Sequence, residues 1–216
     1  MAGPDEPRYI AVEGPIGVGK TSLARALVTE FQARAVLERV EENPFLHKFY
    51  RDPARYAFST QIFFLLSRYR QQRELAKLDL SQQATVADYL FAKDGIFARA
   101  TLRPEELALY EQVYRMLDLD LPKPGLVVYL EARPDILLGR VRKRGRDYEK
   151  AMRTRYVERI AEAFRQFFHY YQEAPLLVVN CSDIDFVEHG GDFADLINEI
   201  RSMRQGVQHY IPLGSK

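Results

Sequence analysis

Gly14-Pro15-Ile16-Gly17-Val18-Gly19-Lys20-Thr21 is the most chemically pointed run in the chain. Glycines at this spacing let the backbone curl so that its N–H groups face inward, a cradle for the β-phosphate of a nucleotide. A helix starting there adds partial positive charge from its N-terminus. Lys20 is placed to reach the β- and γ-phosphates, and the Thr21 hydroxyl to meet a Mg²⁺ ion. Ser22 extends the set into the first helical turn. A Gly-rich strand-to-helix turn without a ligand is the plainer alternative, but the full pattern with the right flanks favours nucleotide binding.

A second group is cationic. Arg140, Arg142, Lys143, Arg144 and Arg146 fall within seven positions around Gly145. Such a run also arises at a solvated helix end, where cations are stabilised. Beside a phosphate loop it suits a lid over residues 140–150 that closes on phosphates, because guanidinium donors match phosphoryl oxygens in geometry. A third group is acidic. Glu38, Glu41 and Glu42 follow a short apolar run, and Glu38 is the best placed to accept the proton of an attacking hydroxyl. Glu41 and Glu42 alone fit a surface turn. Asp88 fits either a Mg²⁺ ligand, direct or through water, or a helix N-cap.

Positioning these groups requires an α/β fold. Tyr9–Glu13, Ala35–Glu38, Thr85–Asp88, Leu126–Leu130 and Leu176–Val179 read as five short buried strands. Helices are expected after the phosphate loop, from Asp52 to about Leu78, over Ile96–Arg99, Pro104–Leu117 and Pro134–Arg144, from about Ala151 to Tyr171, and over Phe193–Met203. Strands alternating with helices predict a five-stranded parallel sheet flanked by helices, with ligands beyond the C-terminal strand ends. Glu13, Glu38 and Asp88 all fall at or near such ends. Phe58, Phe63 and Phe64 repeat at helical spacing and are assigned to the core.

Composition narrows the function classes. The 216 residues are 47% hydrophobic and 28% charged, ordinary for a globular protein. Lys+Arg of 31 against Asp+Glu of 30 leaves a net charge of +1, so neither nucleic acid nor a membrane surface is expected as a partner. One cysteine, Cys181, permits no internal disulfide, which fits a reducing compartment. No stretch approaches the ~18 apolar residues of a membrane span. Residues 1–7, acidic and Pro-rich, read as a flexible tail on a cytoplasmic protein, and residues 1–216 as one domain.

Five ordered blocks resemble the deoxyribonucleoside kinase family, especially its bacterial purine-preferring members, over Tyr9 to about Phe186. They are Glu13 to Thr21, Glu38 to Leu46, Gln61 to Arg68, Asp88-Tyr89 through Asp94 to Ala98, and Arg140 to Arg146 with Glu149. The resemblance implies a P-loop kinase fold with an arginine-rich lid and transfer of the γ-phosphoryl of ATP, with Mg²⁺, to the 5′-hydroxyl of a deoxyribonucleoside. It implies Glu38 as catalytic base, and Tyr50 and Glu149 on the sugar 3′-hydroxyl. Gln61 meets the base edge, Arg68 and Asp94 complete base recognition, and Phe97 stacks on the base. Arg140, Arg144 and Arg146 surround the donor phosphates, and Asp185-Phe186 contacts the adenine. A homodimer through the long helices is implied as well.

The chain departs from the family pattern at three places. Arg39 stands where proline is usual after the base, and Asp88-Tyr89 where an acid–Arg pair is commoner. One residue is missing between Asp94 and Phe97. The Asp-Tyr form is typical of bacterial deoxyguanosine kinases, which implies deoxyguanosine or deoxyadenosine as substrate. Two other functions remain open: a nucleoside monophosphate kinase, and a non-catalytic ATP-binding regulatory protein.

Overall fold

The computed structural model describes residues 7–80, 82–117, 121–184, 186 and 190–212. Strand β1 is Tyr9–Glu13, followed by helix α1, Lys20–Glu30. After β2 (Arg34–Val36) and a 3-10 turn at Val40–Glu42 come α2 (Leu46–Arg51) and the long α3 (Pro53–Ala76). The chain continues as β3 (Thr85–Ala87), α4 (Lys93–Thr101), α5 (Pro104–Met116), β4 (Leu126–Glu131) and α6 (Pro134–Arg144). It ends with α7 (Thr154–His169), β5 (Leu176–Asn180), α8 (Gly190–Ser202) and β6 (Val207–Tyr210).

The strands form one parallel sheet in the order β2-β3-β1-β4-β5-β6. Alternation along the strands sorts the core into two layers. Ile10, Val12, Val128, Leu130, Leu177 and Val179 face α1 and α8, packing on Leu23, Leu27, Leu196 and Ile200. Ala11, Val127, Tyr129 and Val178 face the other way, onto Ile96 and Ala100 of α4 and Ile160, Phe164 and Phe168 of α7. Each such fully buried large side chain stabilises the fold by ~1.5–3 kcal/mol. The order reverses beside β1, so the turn leaving β1 opens into the crevice at the sheet's C-terminal edge.

The fold class agrees with the sequence, with one correction: the sheet has six strands, not five. β6 escaped notice because it is four residues long and lies at an edge, its side chains only partly covered. Its edge position removes the unbroken apolar run that marked the inner strands. Several boundaries also shift by up to three residues, two of them at the site. β2 ends at Val36, leaving Glu38 two residues beyond it, and α4 begins at Lys93, three residues before the expected start. Among the described residues no helix is long and apolar enough to cross a membrane.

Candidate active site

A cleft of about 630 Å³ opens at the switch point of the sheet. One wall is the phosphate loop. Gly14 has φ +149° and Gly17 φ +86°, both outside what side chains tolerate. A Cβ on Gly14 would collide with the Leu130 carbonyl, and one on Gly17 would come 2.6 Å from the Leu137 carbonyl of α6. The loop is thus clamped between β4 and α6. Gly17→Ala should lower stability by ~2 kcal/mol or more, measured by urea denaturation, because strain and collision act together.

The loop's charged residues are anchored locally. Lys20 Nζ donates to the carbonyls of Gly14 at 2.8 Å and Pro15 at 2.9 Å. Burial, then repulsion from Lys93, lowers its pKa to about 8 against the pull of Glu13, Glu38 and Asp88. Glu13 is fully buried and accepts from the backbone N–H of Gly14 and of Leu90, each at 2.8 Å, tying the loop to the segment after β3. Thr21 Oγ1 donates to Asp88 Oδ2 at 2.6 Å, and the Glu38 amide donates to Asp88 Oδ1 at 2.7 Å. Asp88 does not cap α4, whose first residue is five positions later. Its contact with Thr21 pairs a hydroxyl and a carboxylate, hard oxygen donors that suit Mg²⁺ when phosphates and water complete the shell.

Glu38 lines the same cleft. Its Oε1 accepts from Arg68 Nε at 2.8 Å and from Arg68 Nη2, and its Oε2 from Lys93 Nζ at 2.7 Å. Burial alone would raise its pKa, but Arg68 and Lys93 outweigh that and hold the carboxyl well below its usual range. Arg68 Nη1 also pairs with Asp94 Oδ1 at 2.6 Å. Burial pushes the Asp94 carboxyl up to about 6 in spite of that arginine. Asp94 is fully buried behind Arg68 and does not line the cleft, so it can influence a ligand only through the guanidinium.

The far end is amphipathic. Gln61 on α3 donates to Thr101 Oγ1 at 3.3 Å, while its Oε1 is buried with no hydrogen-bond partner. An orphan acceptor of this kind suits a ligand bearing an N–H edge. Phe97 lines the same region and packs edge-on against Phe164. Tyr50 stacks parallel to Tyr148 and edge-on to Tyr156. Glu149 accepts from Arg144 Nε at 3.1 Å and Nη2 at 2.5 Å.

The basic segment is divided among different partners. Gly145, at φ +69°, ends α6 in the left-handed conformation. Arg140 points at main chain, donating to the carbonyls of Val18, Cys181 and Ile184, and so knits the phosphate loop to the segment after β5. Arg146 donates to the Tyr148 hydroxyl at 2.8 Å and pairs with Glu41 at 3.0 Å across the cleft mouth. Phe186 lines the cleft beside Gly19; Asp185 lies outside the described residues.

The structure thus gathers Ile16, Gly17, Val18, Gly19, Lys20, Thr21, Ser22, Glu38, Tyr50, Gln61, Arg68, Asp88, Phe97, Arg140, Arg144, Arg146, Glu149 and Phe186 around one cleft. Gly14 and Pro15 lie just outside it and take part through their carbonyls. The sequence does not single out several residues that line the cleft, Phe64, Tyr156 and Lys93 among them. Phe64, assigned to the core, stands at the wall with the Arg68 guanidinium 4.8 Å from its ring centroid. Tyr156 and Lys93 gave no local signal, since each reaches the cleft only by tertiary packing.

Comparison with known proteins gives the chain's relatives. The deoxynucleoside kinase family profile matches residues 10–204. The chain is 38% identical over 200 residues to the deoxyguanosine kinase of Bacillus subtilis, covering 90% of this chain and 97% of that protein. It is 32% identical over 207 residues to the deoxyguanosine kinase of Lactobacillus johnsonii, covering 88% and 90%. At the level of fold, the deoxyadenosine kinase from M. mycoides with bound dATP superposes with a TM-score of 0.77 at 23% identity, covering 89% of this chain and 98% of that one.

Proposed function

Because the chain belongs to the deoxynucleoside kinase family, we propose that it transfers the γ-phosphoryl group of ATP to the 5′-hydroxyl of a purine deoxyribonucleoside, deoxyguanosine foremost. The observation that carries this reading is a single cleft lined by Lys20 and Thr21 of the phosphate loop, by the Glu38 carboxylate, and by Phe97 and Gln61, whose side-chain oxygen is buried without a partner. The preference for a purine rests on the two deoxyguanosine kinases above and on the Asp88-Tyr89 pair.

In this mechanism the loop amides and Lys20 hold the donor phosphates. Gln61 and Arg68 read the base edge, Arg68 kept in place by Asp94, and Phe97 stacks on the base. Tyr50 and Glu149 hold the 3′-hydroxyl. The 5′-oxygen attacks the γ-phosphorus in line, the bond from that phosphorus to the bridging oxygen breaks, and ADP leaves with the electron pair. Glu38 accepts the hydroxyl proton and passes it to solvent. Residues 140–150 act as a lid, with Arg144 and Arg146 turning from Glu149 and Glu41 towards the phosphates, while Arg140 keeps the loop in register. A Mg²⁺ ion held by Thr21 and Asp88 would neutralise phosphate charge. A homodimer, a cytoplasmic location and a single domain over residues 1–216 belong to the same proposal; residues 1–6 of the expected tail lie outside the described residues.

The test is a panel of the four deoxyribonucleosides and their monophosphates as acceptors with MgATP, measured as kcat/KM. Deoxyguanosine should lead, with deoxyadenosine next. A dominant deoxycytidine or thymidine rate would overturn the purine assignment. A preference for a monophosphate acceptor would point to a nucleoside monophosphate kinase, and nucleotide binding without turnover to a regulatory protein.

A further inference from the structure

Lys93 is the first residue of α4, 4% exposed, with its ammonium on the cleft wall. Together with Arg68 it occupies both oxygens of Glu38. An incoming hydroxyl needs one of those oxygens, so one cation has to withdraw. The two are not equally free to do so. Arg68 is fixed on a second side by Asp94 and lies against the Phe64 ring. Among the described residues, the hydrogen bond of Lys93 goes to Glu38 alone, at the end of a flexible four-carbon stem, and its ring contact is the more distant, 6.0 Å from the Phe97 centroid against 4.8 Å for Arg68 on Phe64.

A destination is also at hand. Lys20 and Lys93 line the same cleft, and the Lys93 charge is the largest influence after burial in depressing Lys20, so the two ammonium groups repel one another there. An anion between them would relieve that repulsion. The phosphoryl group in transfer, its charge spread over three equatorial oxygens, is such an anion.

We propose that Lys93 is a catalytic residue that changes partners, releasing Glu38 Oε2 to the acceptor hydroxyl and binding an equatorial oxygen of the phosphoryl group in transit. The inference rests on the kinase reading of the cleft. Lys93 keeps its proton throughout. The new bond forms between the 5′-oxygen and phosphorus, the bond to the bridging oxygen breaks towards ADP, and the hydroxyl proton goes to Glu38.

The experiment compares wild type, Lys93→Met and Lys93→Ala with deoxyguanosine and MgATP. It reads kcat, calorimetric nucleoside affinity and Tm, with ethylammonium titrated into the alanine variant. Removing Lys93 leaves Glu38 a stronger base, so a fall in kcat cannot come from weakened proton acceptance. Lys93→Met should lower kcat ~10²-fold while deoxyguanosine affinity changes by less than about threefold. Ethylammonium should restore a saturable part of kcat in Lys93→Ala and do nothing to wild type.

A methionine variant within about threefold of wild-type kcat would overturn the proposal, since one lost phosphoryl contact costs far more. So would a kcat loss matched by lost affinity and Tm without amine rescue, or failure of both variants to fold; each makes the ammonium structural. Absence of turnover in wild type would instead remove the kinase reading itself, and this inference with it.

Discussion

Glu38→Gln is expected to lower kcat by ~10³-fold while the enzyme still binds its nucleoside, within the range of a lost general base. The amide keeps the shape of the side chain and an oxygen for Arg68 to donate to, but cannot take a proton from the acceptor hydroxyl. Arg68 retains Asp94 at 2.6 Å, so the groups assigned to the base stay in place. Lys93 is the loser: an amide NH₂ would meet its ammonium donor to donor. The variant should therefore also lose ~1–3 kcal/mol of stability, the cost of a buried donor left without a partner. Rates, calorimetric affinity and thermal melting on one preparation separate the two effects. Unchanged turnover would take Glu38 out of the mechanism.

What made this site partly visible in the sequence is how far apart its parts lie along the chain. The phosphate loop is contiguous, so its glycines, Lys20 and Thr21 announce themselves at fixed spacing. Glu38 was found for a reason the structure amends. It does not end a strand, since β2 stops at Val36; its backbone is held instead by Asp88, fifty residues later. That bond has no trace in local pattern.

Lys93 was invisible for a related reason. Apolar periodicity placed the α4 start at Ile96, so a lysine before it looked like an ordinary loop residue, although α4 begins there and carries it into the cleft. Phe64 shows the converse limit. Aromatics at helical spacing indicate that a helix packs on something, but the spacing is the same whether that partner is core or a ligand. The layers of the sheet were legible because buried parallel strands are continuous apolar runs, a signature that the partly exposed β6 lacks.

Lys20→Met should reduce kcat/KM for the donor by ~10³-fold, or ~4 kcal/mol of transition-state stabilisation. The loop would keep its curl, which Gly14 and Gly17 and their contacts with β4 and α6 impose, so the nucleoside end of the cleft should be untouched and deoxyguanosine affinity preserved. Titration of the wild-type lysine gives a second, independent signature. Without donor the ammonium is lowered to about 8. The protonated form is the one that binds phosphate, so donor affinity should hold up to about pH 8 and weaken as pH rises further. At pH 9 only ~10% of free sites carry the proton, and donor binding must then draw nearly one proton from solution per site. Calorimetry at pH 9 in buffers of different ionisation enthalpy measures that uptake directly. Lys20→Arg, whose guanidinium stays charged throughout, should show none. A donor affinity flat between pH 7 and pH 9.5, with no proton uptake in wild type, would mean that Lys20 is not the group that meets the phosphates.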